Sequence, residues 1–478
     1  MGINNKNKLH LFHFLFLFTS LILVPNSSCL LAQTESKEIS VQNHYEMGLT
    51  YYELGLLVEA SAEFKKTLEK DPNFAKAHLY LGLIYADRGY MESAVKEFQE
   101  AIRIDPKNVE AHFNLGFFSG ILGSMEKAME EYKETIRLDP LNPDAHFNLG
   151  ILYGKKGLLT DAIKEYKKTI QINQDFAEAH YNLGVIYNIT GDIDKAIDEF
   201  NEVLRLNPFD VVTHYLLALA FADKGLYRLS VEEFIRVLEI NPDNATAHYN
   251  LALVYSSQGL LDKAINEYKE AIRLKPNFAG AHYVLGTAYS RKGLIDEAIS
   301  EFEKTLEITP ESASAHFNLG IVYGIKGVID EAIVQFKEAI KINPVDAVSH
   351  YVLGYAFTEK GLIDQAINEF RKAMKINPAC VVAHDALAKA YSEKGMLDKA
   401  IIHFEMAKRI KPDFVEALLG LGMAYKSEAE KRDVKSEKKE MYEKALNELG
   451  LFLQYAPNDK RAEDIKGVIK EIKSMTRF

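Results

Sequence analysis

The sequence predicts an all-α chain of tandem helix hairpins, and three observations carry that prediction. One skeleton of residues returns every 34 positions from Val41 to about Asp459. Each period holds two stretches of roughly fourteen residues whose apolar positions recur at helical spacing. Glycine and proline punctuate the stretches at fixed places. A chain of this kind grows by stacking and needs no single large core, so 478 residues do not imply several globular domains.

The reference period is Ala177–Asp210, AEAHYNLGVIYNITGDIDKAIDEFNEVLRLNPFD. Counting Ala177 as position one, its skeleton is His180, Leu183, Gly184, Tyr187, Gly191, Ala196, Phe200 and Pro208. The order L-G-x-x-Y, A-x-x-x-F, then Pro at a 34-residue period resembles the tetratricopeptide repeat (TPR), and the resemblance covers residues 41–459. It implies a right-handed superhelical solenoid of helix-turn-helix repeats. Twelve units begin at Val41, Ala75, Val109, Pro143, Ala177, Val211, Ala245, Ala279, Ala313, Ala347, Val381 and Val415.

Each element has a local reason. The first helix of a unit ends at glycine in position fifteen, from Gly55 to Gly395 in eleven units, where a positive φ is expected. The second ends before proline in position thirty-two, which disfavours α geometry in the residue ahead of it. Gln174 stands where that proline is missing, and Asn173 with Asp175 is expected to make the turn. Position eight is Gly or Ala, and position twenty is Ala except at Ser230, so the paired helices can approach closely. Leu183, Tyr187 and Phe200 and their equivalents fill the sides, and one unit alone leaves this apolar set uncovered.

Two ends depart from the period. Residues 1–32 have a short positive start, an apolar run over 9–24 and a polar stretch ending in Ala32, the layout of a secretory signal peptide. Export to a periplasmic, cell-envelope or secreted location is therefore expected. Retention as an anchor through residues 9–24 is the alternative, and lipid attachment at Cys29 fits poorly because Asn26 replaces an expected Leu-type residue. Residues 33–40 read as a linker. In the twelfth unit an 11-residue insertion near 426–440 is expected to lengthen both helices of the hairpin. Residues 460–478 read as a capping helix, apolar on one face and charged on the other.

Composition narrows the function. A net charge of −11, with both signs interspersed and no basic stripe, argues against nucleic acid as the partner. Two cysteines make no disulfide framework. Eleven histidines occupy position four, from His44 to His384, and are read as interface packing, since stacked equivalents stand about 8–10 Å apart and form a ladder rather than a metal cage. His403 stands outside that ladder with no evident companion. No catalytic triad, phosphate loop or dinucleotide turn appears, so no enzyme activity, cofactor or metal is expected.

By the resemblance, the first helices line a concave groove, with positions two, five, six, nine, twelve and thirteen facing inward. Position six is Asn in Asn114, Asn148, Asn182, Asn250 and Asn318. Position five is aromatic in Phe113, Phe147, Tyr181, Tyr215, Tyr249, Tyr283 and Phe317. An amide carries both a donor and an acceptor and can pair with a peptide backbone. The row resembles the asparagine ladder of O-linked N-acetylglucosamine transferases. The expected function is a non-catalytic scaffold binding an extended or disordered protein segment. The alternatives are a detached substrate-recruiting subunit of a glycosyltransferase system, and a structural part of an envelope assembly.

Overall fold

A computed structural model describes residues 40–475. The expected leader, most of the expected linker and Cys29 lie outside them. Among the described residues there are twenty-five α-helices and no strand. The chain divides into two compact units, residues 1–148 and 149–478, and the division falls inside the helix Pro143–Lys155.

In the first unit α1 (Val41–Glu53) pairs with α2 (Leu57–Lys70), α3 (Ala75–Asp87) with α4 (Met91–Ile104), and α5 (Val109–Ile121) with α6 (Met125–Leu138). The second unit repeats this pairing. There α9 (Ala177–Thr190) packs on α10 (Ile193–Leu206), and α11 (Val211–Asp223) on α12 (Tyr227–Ile240). Second helices also pack on the first helix of the next hairpin, as α10 does on α11. Within each unit the fold is all-α and built of tandem helix-turn-helix repeats.

The punctuation has its expected geometry. All eleven glycines at position fifteen have positive φ, and Gly191 at φ 83° closes α9 with its N–H directed to the carbonyls of Tyr187 and Asn188. A side chain would be strained in that conformation, which is why glycine recurs there. The proline-free turn closes like the others: Phe176 N–H reaches Asn173 O at 3.3 Å, and Asp210 N–H reaches Asn207 O at 3.2 Å in a proline turn.

Position eight is small because an aromatic ring covers it. A Cβ added to Gly184 would lie 2.7 Å from the Phe200 ring, and one at Gly354 would lie 2.6 Å from Phe370. Phe200 and Ala196 are fully buried in this contact. The sixth repeat carries Ser230 in place of the alanine at position twenty, opposite Ala218 at position eight. The buried Ser230 hydroxyl donates to Ala218 O at 2.7 Å, so the extra polar atom is satisfied by the facing backbone.

At the C-terminal end, α23 (Val415–Lys431) and α24 (Lys435–Tyr455) have 17 and 21 residues, against 13 or 14 for the preceding helices. They are followed by α25 (Ala462–Met475), which buries Ile465 and Ile472 against the core that holds Leu449 and Phe452.

Candidate functional site

The histidine ladder is more than packing. In at least nine repeats the position-four Nδ1 meets an acceptor on the second helix nineteen residues later, as in His78 to Glu97 and His180 to Glu199, both 2.6 Å. The Nε2 meets the carbonyl of the preceding turn, at 3.3 Å from Pro72 for His78 and 3.0 Å from Gln174 for His180. At His78 and His180 both partners are acceptors, an arrangement that favours the doubly protonated ring. The Glu97 and Glu199 carboxylates accordingly raise these two histidines above their ordinary pKa of 6.5. One ring thus ties first helix, second helix and incoming turn together. The carboxylates at position twenty-three were legible as a periodic Glu, but their charge hid them among surface residues.

His403 does have a companion. It occupies the place of that Glu in the eleventh repeat, and its Nδ1 lies 3.2 Å from Nδ1 of His384. His384 Nε2 is 3.2 Å from Pro378 O, so Nε2 donates, leaving Nδ1 to accept from His403. Burial, then the neighbouring His384 and Arg371, lower His403 to about 4. The expectation of an isolated histidine is corrected. It followed from the ladder being sought at position four alone. Among the described residues no group of three or more His, Cys, Asp or Glu is placed to hold a metal.

Successive repeats are linked on the surface by a second periodic contact. The Lys at position fourteen pairs with the Asp at position eighteen of the preceding repeat, thirty residues earlier. The pairs are Lys224 with Asp194, Lys292 with Asp262, Lys326 with Asp296, Lys360 with Asp330 and Lys394 with Asp364.

The twelve groove candidates are all half-buried on the first helices. Several aromatic rings pack edge-on or tilted against the second-helix ring of their own repeat: Phe113 on Tyr132 at 5.7 Å, Tyr215 on Phe234 at 5.8 Å, Tyr283 on Phe302 at 5.9 Å and Phe317 on Phe336 at 6.0 Å. Tyr249 contacts both Tyr268 and Phe278. Phe147 and Tyr181 hold the same half-buried place, and burial raises the Tyr181 phenol above its usual range.

The asparagines fall into two kinds. Asn114, Asn148 and Asn182 each donate one amide hydrogen to the carbonyl four residues back, at 2.8 Å. Among the described residues their second hydrogen and Oδ1 make no further bond. Asn250 and Asn318 instead donate to the hydroxyl of the preceding repeat's tyrosine, Tyr215 and Tyr283, both at 2.8 Å. Asn250 also reaches Thr246 O at 2.9 Å, which uses both hydrogens. Position five sets the difference: a phenol reaches the next asparagine, whereas Phe113 and Phe147 have no hydroxyl to offer.

Around these residues the first-helix face carries exposed apolar side chains at positions nine, thirteen and two. Phe117 and Ile121 do so in the first unit, and Ile189, Val212, Ile325 and Tyr355 in the second. Asn188 lies within α9 with a buried Oδ1, and the Asn244 side chain caps the next helix through Ala247 N–H.

Hairpins of 34 residues, stapled internally and displaying one mixed polar and apolar face, define a helical-repeat scaffold for protein interaction. Profiles described as TPR repeat match residues 82–118, 121–157, 155–189, 219–259 and 255–293, and profiles described as tetratricopeptide repeat match 177–210, 283–347, 347–380 and 382–414. The chain belongs to the tetratricopeptide-repeat family. Among solved structures it is similar to MamA, with 30% identity over 35% of this chain and 92% of that one, at a TM-score of 0.34. It is also similar to YrrB, described as a TPR protein with an unusual peptide-binding site, with 27% identity over 39% of this chain and 97% of that one, at a TM-score of 0.37. A tetratricopeptide repeat protein from Parabacteroides merdae shares 20% identity over 52% of this chain and 98% of its own, at a TM-score of 0.39. No curated protein matches. Among the described residues no helix is long and apolar enough to cross a membrane.

Proposed function

We propose that this protein is an exported, non-catalytic scaffold whose first-helix face binds an extended or disordered protein segment. The observation that carries the reading is the pairing of exposed apolar side chains with asparagines whose amides are incompletely used. Phe117 and Ile121 sit beside Asn114, and Ile189 lies two helical turns from Asn182. Apolar burial would supply affinity, and the amides would fix the register of a peptide backbone.

The two kinds of asparagine give the test. Replacing Asn114, Asn148 and Asn182 together by Ala should weaken peptide capture at least tenfold, read by fluorescence anisotropy on selected peptides. Replacing Asn250 and Asn318 should cost less, because their donors already serve Tyr215 and Tyr283. Equal affinity of wild type and triple variant would remove the asparagine row from the reading. Export is tested separately, by N-terminal sequencing of the protein recovered from the cell envelope or medium.

A further inference from the structure

A cleft of about 480 Å³ opens on the first-helix face between α17 (Ala313–Lys326) and α19 (Ala347–Glu359), floored by α18 (Ile329–Ile342). Its walls are Ile321, Ile325, Tyr351, Val352 and Tyr355, and Phe336 lies at its base. Gly324, at position twelve of this repeat, lines the cleft, and a Cβ built there meets nothing within 4 Å. Glycine also holds that position in Gly120 and Gly154, whereas Asn188 and Ser256 stand there in other repeats. The next repeat also has Val352 where an asparagine row would continue, so the lining turns apolar just past Asn318. The volume falls in the range of small binding sites, roughly 300–1,000 Å³, and holds a bulky side chain with space to spare.

The rim is acidic. Glu359 lines the cleft together with Tyr355, whose phenol it holds above the usual range. A nearby cation, Lys389, is engaged by Asp385 at 2.7 Å and lies 3.5 Å from Glu416. Asp385 is itself buried, and among the described residues its Oδ1 accepts no bond. Glu359 thus stands at the edge of an apolar hole, and a carboxylate beside a low-dielectric surface favours a cationic neighbour.

We propose that this cleft is an anchor pocket for one bulky apolar side chain of an extended partner segment, with a Lys or Arg beside it paired to Glu359. The proposal rests on the peptide-binding reading above and adds the sequence class of the segment. Its occupant is a partner protein, neither a second copy of this chain nor a free small molecule.

The test is selection of a displayed library of random 12-residue peptides on the full chain, repeated on Gly324→Leu and Glu359→Gln. Both variants should keep the wild-type far-UV circular dichroism and melting profile, since Gly324 faces open space and Glu359 is at a rim. The wild type should enrich peptides with an aromatic or large aliphatic residue within two positions of Lys or Arg. Gly324→Leu should lose at least tenfold in affinity for them, and Glu359→Gln should lose the basic preference while keeping the apolar one. Enriched peptides that bind Gly324→Leu as well as wild type, yet fail on the Asn114, Asn148, Asn182 triple variant, would overturn the pocket and leave the groove reading standing. No enrichment on the wild type would remove both. Self-association of the wild type abolished by Gly324→Leu, seen in sedimentation, would assign the cleft to a second copy and overturn the proposal.

Discussion

Replacing His180 by Ala leaves Glu199 half-desolvated without its donor and frees the Gln174 carbonyl. Hydrogen bonds to charged groups are worth about 2 kcal/mol, so His180→Ala should destabilise its hairpin by that order, with a smaller loss for the His180→Ala, Glu199→Ala pair in a double-mutant cycle. The protonation follows the same contact. A histidine raised above 6.5 in the folded state contributes fully below that pH, and the contribution is lost as pH rises through the raised value. Amide exchange in the hairpins of His78 and His180, corrected for intrinsic rate, should therefore quicken between pH 6 and pH 8. His403 has the opposite sign. Its folded value lies near 4, so the unfolded chain takes up a proton first, and repeat eleven should loosen as pH falls from about 6.5 towards 4. His403→Glu restores the pattern of the other repeats and should abolish that acid sensitivity; persistence of the loosening in the variant would refute the assignment.

Among elements, the contact between the small residue at position eight and the large side chain at position twenty-four decides which glycines are structural. A Cβ on Gly422 of α23 would lie 2.6 Å from Leu449, whereas one on Gly450 of α24 would meet nothing within 4 Å. Gly422→Ala should cost about 1–3 kcal/mol through overpacking. Gly450→Ala should stabilise by roughly 0.5–1 kcal/mol through helix propensity, and chemical denaturation distinguishes the two signs. This rule was readable from the chain, because small residues at positions eight and twenty and a ring at twenty-four recur together in Gly184, Ala196 and Phe200. So were the glycine turns and the two-helix rhythm, since each depends on neighbours within one period. Partners at long intervals were not. Glu199 pairs across nineteen residues and Asp194 across thirty, and nothing in a local pattern separates such carboxylates from the solvated ones beside them. For the same reason Tyr215 and Asn250 were placed in separate rows, although one donates to the other.

Across the whole molecule, stability is expected to follow a sum of hairpin and neighbour contributions rather than one cooperative core. The exposed end of such a row needs a cover. Deleting residues 462–478 would uncover the apolar surface of Phe452 and Leu449 on which Ile465 and Ile472 rest. The truncated chain should elute as higher oligomers in size exclusion with light scattering, while keeping most of its helical signal; a monomer of unchanged solubility would count against a covering role for α25. The ion pairs between repeats carry a mechanical meaning. Most hairpins are cross-braced from within by a largely buried imidazole, whereas the lysine–aspartate pairs that clasp several of them to the next lie at the surface, where salt screens them. Raising ionic strength should therefore loosen these outer clasps while leaving the inner braces and the apolar packing between hairpins unchanged.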